Sequence, residues 1–270
     1  MGISLKGINL GYMSLPKAAL LEKAEYAGVV YQCPAIAYVV ETPEARILWD
    51  TGISMRAAEE WLPEWQEFAN VDSVSPEVCL ESRLNELALA PDDFRYVVMS
   101  HLHIDHAGGL RLFEDASTEI VVHEDELKNV QALTADSENF FSKADFYFFE
   151  DTPPTTVSGD IVELTSGVSL VSLPGHTPGQ MGMLIELERT GPVLLTSDAL
   201  YMHETYGPPD VGTPMSWDAE HWAKSMAKIH RLATEREAFI FPGHDEVGVK
   251  QFKDHKEIRT LEFWPGYEYE

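Results

Sequence analysis

Two cysteines in 270 residues, Cys33 and Cys79, are too few for a disulfide framework. They read as ordinary thiols. Basic residues are also scarce: 19 Lys and Arg stand against 45 Asp and Glu, a formal net charge of −26. Affinity for nucleic acid or for an anionic membrane rests on cationic contacts, so neither partner is expected. The charge instead favours solubility. No apolar run is long enough to span a bilayer. The start, MGISLKGINLGYMSLPKAAL, lacks a basic segment followed by an uninterrupted apolar stretch, so no signal peptide is expected and the cytoplasm is the expected location. Internal repeats, low-complexity tracts and long linkers are missing too, which predicts one domain over residues 1–270.

Hydrophobic residues make up 44% of the chain, enough for a substantial core. Short apolar runs alternate with helical patterns. Residues 35–40 and 46–49 read as paired strands, and 96–99, 119–122, 168–173, 181–187, 193–196 and 239–241 as further strands. Helices are expected at 55–68, 76–89 and 218–233. The last carries Trp222, Met226, Ile229 and Ala233 on one stripe, with Ser216 or Asp218 as N-cap. Strands mixed with helices throughout indicate an α/β or α+β layered fold. Residues 134–159 are irregular and rich in aromatics, Phe140, Phe141, Phe146, Tyr147, Phe148 and Phe149. These build either a local core under a loop or, with Trp61 and Trp65, an apolar pocket.

Four expected strands each end in a metal-capable side chain: His101, His176, Asp198 and His244. Strand ends that share an edge bring such residues together. The densest cluster is SHLHIDHAGG at residues 100–109, with His101, His103, Asp105 and His106. Imidazole nitrogen and carboxylate oxygen suit zinc and related divalent ions. His101 and His103 in an extended segment can address one ion. Asp105 and His106, where the chain is expected to turn into a helix, can address a second. One catalytic zinc takes three protein ligands, so seven candidates suit two ions. Asp198 is the natural bridge, because a carboxylate offers two oxygens. The other histidines, His123, His203, His221, His230 and His255, read as ordinary surface or core residues.

The ordered set HLHIDH-AGG, PGHTPG, a strand ending in Asp198, and PGH resembles the metallo-β-lactamase superfamily. The motifs run from about Asp50 to His244. Within the superfamily the wording is most similar to quorum-quenching N-acyl-homoserine lactonases and related small-lactone hydrolases, through SHLHIDHAGG, PGHTPGQ and SDALY. Gln180 departs from the histidine many of these lactonases carry there. The resemblance implies an αββα sandwich with metals at one edge. It implies that His101, His103 and His176 hold the first ion, that Asp105, His106 and His244 hold the second, and that Asp198 bridges. Asp50 would orient the ligands from behind. Two divalent ions are implied, Zn2+ foremost, with Fe, Mn or Co as alternatives. The implied reaction is opening of a small-molecule lactone, with Tyr201 binding the substrate carbonyl and stabilising the oxyanion, and Asp105 returning a proton to the leaving alkoxide.

Rival activities on the same fold are hydrolysis of another ester, of a glyoxalase-II-like thioester or of a β-lactam. A basic cluster for an anionic thioester conjugate and an export signal are both missing. A non-catalytic metal-binding protein is disfavoured because all seven donors are present. The oligomeric state, a homo-oligomer included, is left open by the sequence, as are the roles of the 202–215 loop and the aromatic region.

Overall fold

The computed structural model describes residues 2–71, 74–251, 258–262 and 268–270. In chain order the strands begin with β1 (Ser4–Pro16), β2 (Val30–Glu41), β3 (Arg46–Trp49), β4 (Tyr96–Val98) and β5 (Glu119–His123). A small ribbon, β6 (Ser137–Glu138) and β7 (Phe141–Ser142), precedes β8 (Thr155–Val157). Then come β9 (Ile161–Thr165), β10 (Val168–Ser172), β11 (Met181–Ile185), β12 (Val193–Ser197), β13 (Phe239–Pro242), β14 (Val247–Gln251), β15 (Ile258–Glu262) and β16 (Glu268–Tyr269). Two seven-stranded sheets result, in the orders β16-β1-β2-β3-β4-β5-β8 and β15-β14-β13-β12-β11-β10-β9. Parallel pairing of β3 with β4 and of β12 with β13 sends the ends of these strands the same way within each sheet.

Three hydrophobic clusters define the layers. Between the sheets, Val40, Ile47, Trp49, Val98 and Val121 meet Leu170, Met183, Ile185, Leu195 and Phe241. The outer face of the second sheet packs Val171, Leu184, Leu194 and Ile240 against Met226, Ile229, Leu232 and Ala233 of the helix Ala219–Arg236. The outer face of the first sheet buries Val39, Leu48, Val97 and Val122 beneath Trp61, Trp65, Leu80 and Leu84. Strands apolar on both faces are what a sheet covered on both sides requires. The architecture is the expected αββα sandwich.

Asp218 caps the long helix, accepting from the His221 N–H at 2.8 Å. Three helical expectations change. The 55–68 helix is two short ones, Ala57–Glu60 and Pro63–Phe68. Pro63 lacks the N–H that a continuous helix needs, and the residue before it, Leu62, is extended with ψ 144°. The 76–89 helix shrinks to Leu80–Glu86. Ala88 turns left-handed at φ 54°, and the Leu89 N–H closes back on the Leu84 carbonyl at 2.9 Å, capping the end. Asp105 and His106 lie in a turn closed by the His106 and Ala107 N–H groups on the His103 carbonyl. The turn goes no further because the next backbone partners are residues 51 and 52: Thr51 N–H donates to the His106 carbonyl and Gly108 N–H to that of Gly52, both at 2.8 Å. His255 lies outside the described residues. The long strand β1 and the helix Glu124–Gln131 have no counterpart in the sequence expectations.

Candidate metal centre

His101, His103, Asp105 and His106 follow β4 in the first sheet, and Asp50 follows its neighbour β3. His176 follows β10, Asp198 follows β12, and His244 follows β13, all in the second sheet. The structure brings all seven proposed donors together where the sheets share an edge. Close backbone packing makes this possible: a Cβ at Gly243 would stand 2.8 Å from the Asp198 Oδ1.

Among the described residues three donor groups converge: His101, His103 and His176; His101, His106 and Asp198; Asp105, His106 and His244. In the first group His176 Nε2 lies 2.8 Å from His103 Nδ1 and 3.2 Å from His101 Nε2, and the remaining edge is 3.1 Å. Three nitrogens on one tetrahedral zinc stand about 3.3 Å apart, so this triangle is near cation-binding size. Asp198 faces both groups. Its Oδ2 is 3.4 Å from His176 Nε2, and its Oδ1 is 3.3 Å from His106 Nε2 and 3.1 Å from His244 Nε2. Asp105 Oδ2 closes the second group, 3.5 Å from His244 Nε2 and 3.7 Å from His106 Nε2.

Each imidazole turns its other nitrogen to the protein, as metal-binding histidines do. His101 Nδ1 meets Ser100 Oγ at 3.0 Å, His103 meets the Asn139 backbone, and His106 Nδ1 meets Asp50 Oδ2 at 2.9 Å. His176 Nδ1 meets the Met215 carbonyl at 3.0 Å, and His244 Nδ1 that of Pro34 at 2.9 Å. The inward Nε2 of His106 is buried yet makes no hydrogen bond. Such an atom is costly unless it takes up a positive charge, a proton facing Asp198 or a metal ion. The donor set therefore fits two divalent cations.

Asp50 also accepts from the Ser100 N–H at 2.7 Å and the Ser100 hydroxyl at 2.8 Å. Ser197 Oγ donates to Ser100 Oγ at 2.9 Å, so one polar chain runs beneath the centre from the second sheet to the first. Asp50 reaches this place with a left-handed backbone, φ 59°, a conformation uncommon for residues other than glycine.

Electrostatically the two halves differ. Burial pushes His101 and His103 well below the usual imidazole range, helped by neighbouring imidazoles, and burial also lowers His176. Burial acts the same way on His106 and His244 but is outweighed. Asp198, Asp105 and Asp50 raise His106 well above its usual range, and Asp198 and Cys33 raise His244. Burial would lift Asp198, yet His244, His106 and His176 together hold it well below the carboxylate range.

Tyr201 is 2% exposed, and its hydroxyl stands 2.8 Å from His176 Nδ1 while its ring stacks on His244. Burial, with Asp198 and Asp105, raises its pKa well above normal, so it stays a proton donor. A narrow inner cavity of about 40 Å³ reaches Asp105, Asp198, Tyr201 and His244, walled by Met13 and Leu15 of β1. An outer cavity of about 440 Å³ adjoins it, lined by Leu133, Phe140, Phe141, Pro178, Met215 and Trp217. Phe140, Met215, His103 and His176 belong to both. Of the aromatic region only Phe140 and Phe141 line the cavities. Phe146, Phe148 and Phe149 are core, Tyr147 is half exposed, and Trp61 and Trp65 lie behind the wall, where Trp65 stacks on Phe140.

The 202–215 loop and β1, silent in the sequence, thus supply cavity walls. Glu126 was also hidden: it is one of 45 acidic residues, and nothing local marks it as buried against the centre. The remaining described histidines join no donor cluster. His123 caps the helix Glu124–Gln131, and His203, His221 and His230 face Asp245, Asp218 and Asp210.

Two sheets clad in helices, with a paired-cation centre at their shared edge, define a binuclear metalloprotein of the αββα class. The chain belongs to the metallo-beta-lactamase superfamily, whose family model matches residues 30–244. An N-acyl homoserine lactonase of Bacillus sp is 31% identical over 235 residues, covering 84% of this chain and 89% of the relative. The N-acyl homoserine lactonase AiiB of Agrobacterium fabrum is 30% identical, covering 83% and 84%. A solved N-acyl homoserine lactone hydrolase, with N-hexanoyl-L-homoserine bound at its catalytic metal center, superposes with a TM-score of 0.77 at 28% identity, covering 91% of this chain and 94% of that one. No helix of the described residues is long and apolar enough to cross a membrane.

Proposed function

We propose that this chain, acting as one catalytic domain, is a metal-dependent hydrolase that opens the ring of N-acyl homoserine lactones. The observation that carries the reading is the meeting of seven metal donors at one sheet edge, five of which, His103, Asp105, His176, Asp198 and His244, line one cavity with Tyr201. Its similarity to the lactonases adds the substrate class.

His101, His103 and His176 would hold the first cation and Asp105, His106 and His244 the second, with Asp198, which faces both groups, shared between them. Zinc suits this set of imidazole and carboxylate donors. When bound, the cations supply Lewis acidity and lower the pKa of water at the site. With Nε2 of His176 turned inward, its Nδ1 carries the proton and is shared between the Met215 carbonyl and the Tyr201 oxygen. Tyr201 then accepts from His176, which leaves its own proton free to donate to the lactone carbonyl oxygen as charge develops there. Water adding to the carbonyl carbon would give its proton to Asp105, at the cavity wall, which passes it to the ring oxygen as the C–O bond breaks. Met13, Leu15 and Phe140 keep the inner cavity apolar and narrow, and the acyl chain lies in the outer cavity against Phe141 and Met215.

A pH-indicator assay over a panel of lactones, thioesters and a β-lactam tests this. Acid release from N-acyl homoserine lactones, abolished by a chelator, is the expected result. Turnover of thioester or β-lactam with every lactone left intact overturns the substrate class. Metal analysis of the active protein should return two ions per chain.

A further inference from the structure

The first donor triad spans the sandwich: His101 and His103 come from the first sheet and His176 from the second. Its geometry depends on how two separate loops are held against each other. Glu126, in the first turn of the helix Glu124–Gln131, is fully buried between them. Its Oε1 accepts from the N–H of Leu102 at 2.9 Å, the residue between His101 and His103. Its Oε2 accepts from the Thr177 hydroxyl at 2.7 Å and the Gly179 N–H at 3.1 Å, just after His176. Each oxygen thus grips one loop. The fit is close, since a Cβ on Gly179 would stand 2.2 Å from the Glu126 nitrogen.

We propose that Glu126 is a positioning residue for the first cation: its carboxylate sets the distance between the His101–His103 loop and His176 by bonding both at once. Among the described residues no Lys or Arg partners it, and its three hydrogen bonds there all go to residues flanking the triad. A carboxylate serves here because both of its atoms accept. A glutamine keeps one acceptor and turns an amide donor toward the donors of the other loop. The second cation's donors, Asp105, His106 and His244, make none of these contacts, so the effect is confined to one ion.

The inference rests on the proposed ligand assignment. Its test is chelator competition on the metal-loaded wild type and on the Glu126→Ala, Glu126→Gln and Thr177→Val variants. Cobalt absorption serves as the spectroscopic readout, and the thermal midpoint of the stripped protein as a folding control. Loss of a partner that orients metal ligands costs about 10- to 100-fold in metal affinity. Glu126→Ala should weaken one of the two ions by about that range while the other changes less than about threefold. Glu126→Gln and Thr177→Val should fall between it and the wild type. Both ions held as tightly as in the wild type, or both weakened equally along with the thermal midpoint, overturns the proposal. If Glu126→Ala does not fold, the milder pair decides by the same criterion. A wild type that retains fewer than two ions overturns the two-cation reading itself, and the inference with it.

Discussion

The two halves of the centre are built from similar side chains but stand in opposite electrostatic surroundings. The first triad is three imidazoles, buried and driven neutral. In the second, Asp198, Asp105 and Asp50 drive His106 toward the charged form, and Asp198 and Cys33 drive His244 the same way. One half is thus prepared for a cation before it arrives. The other is prepared for positive charge of any kind, and holds protons until a cation displaces them. The orienting partners differ as well: a carboxylate, Asp50, faces His106, whereas a hydroxyl and backbone groups face His101, His103 and His176.

The severest way to break the comparison is to remove the group common to both halves. Asp198→Asn replaces one of two bridging oxygens with an amide that repels a cation. Both ions should be lost together, and kcat/KM should fall on the order of 10³-fold or more, since metal polarisation supplies several kcal/mol. Metal analysis showing one ion retained at full affinity would assign Asp198 to a single half.

Tyr201→Phe tests the residue that touches His176 on one side and His244 on the other. Both ions should remain while kcat falls about 100-fold, the scale of one lost oxyanion donor. Unchanged catalytic constants would remove Tyr201 from the chemistry.

Acidity should separate the halves. Filling the second site expels protons held by His106 and His244, so its affinity rises with pH, by about tenfold per unit for each proton released. The first triad is already neutral near pH 7, so its affinity is flatter. Competition titrations between about pH 6 and 8 should show the second ion leaving first on acidification. Equal slopes would erase the distinction. The same sign governs the stripped fold: the raised imidazoles of His106 and His244 stabilise it below about pH 6.5, and that contribution is lost as pH rises through their folded values.

The smallest effect is expected from Phe140→Ala, at the wall beside His103. Loss of apolar contact should raise KM for long-chain lactones a few-fold, about 1 kcal/mol, and leave short-chain ones nearly unchanged. An equal change for both would place the acyl chain elsewhere.

Much of the molecule was legible before folding. Buried strands show as compact apolar runs, and the last helix shows its stripe and its Asp218 cap, because burial writes a period into the chain. Helix ends were harder. Pro63 and Ala88 stop helices through backbone geometry that a stripe of apolar residues does not reveal. The turn at Asp105 does not extend into a helix because the His106 carbonyl and the Gly108 N–H bond to residues 51 and 52, far away in sequence.

The sequence by itself determined the candidate donors: their identities, their order and their placement at strand ends, since metal chemistry admits few residue types and the motifs crowd them together. Only the tertiary structure decided how they differ. Which imidazoles are driven neutral and which toward charge depends on carboxylates brought from residues 50 and 198 to the same edge. Which contacts space the first triad depends on Glu126, an ordinary acidic residue until two sheets close around it. Electrostatic environment and loop spacing are properties of distance in space, and a linear chain records neither.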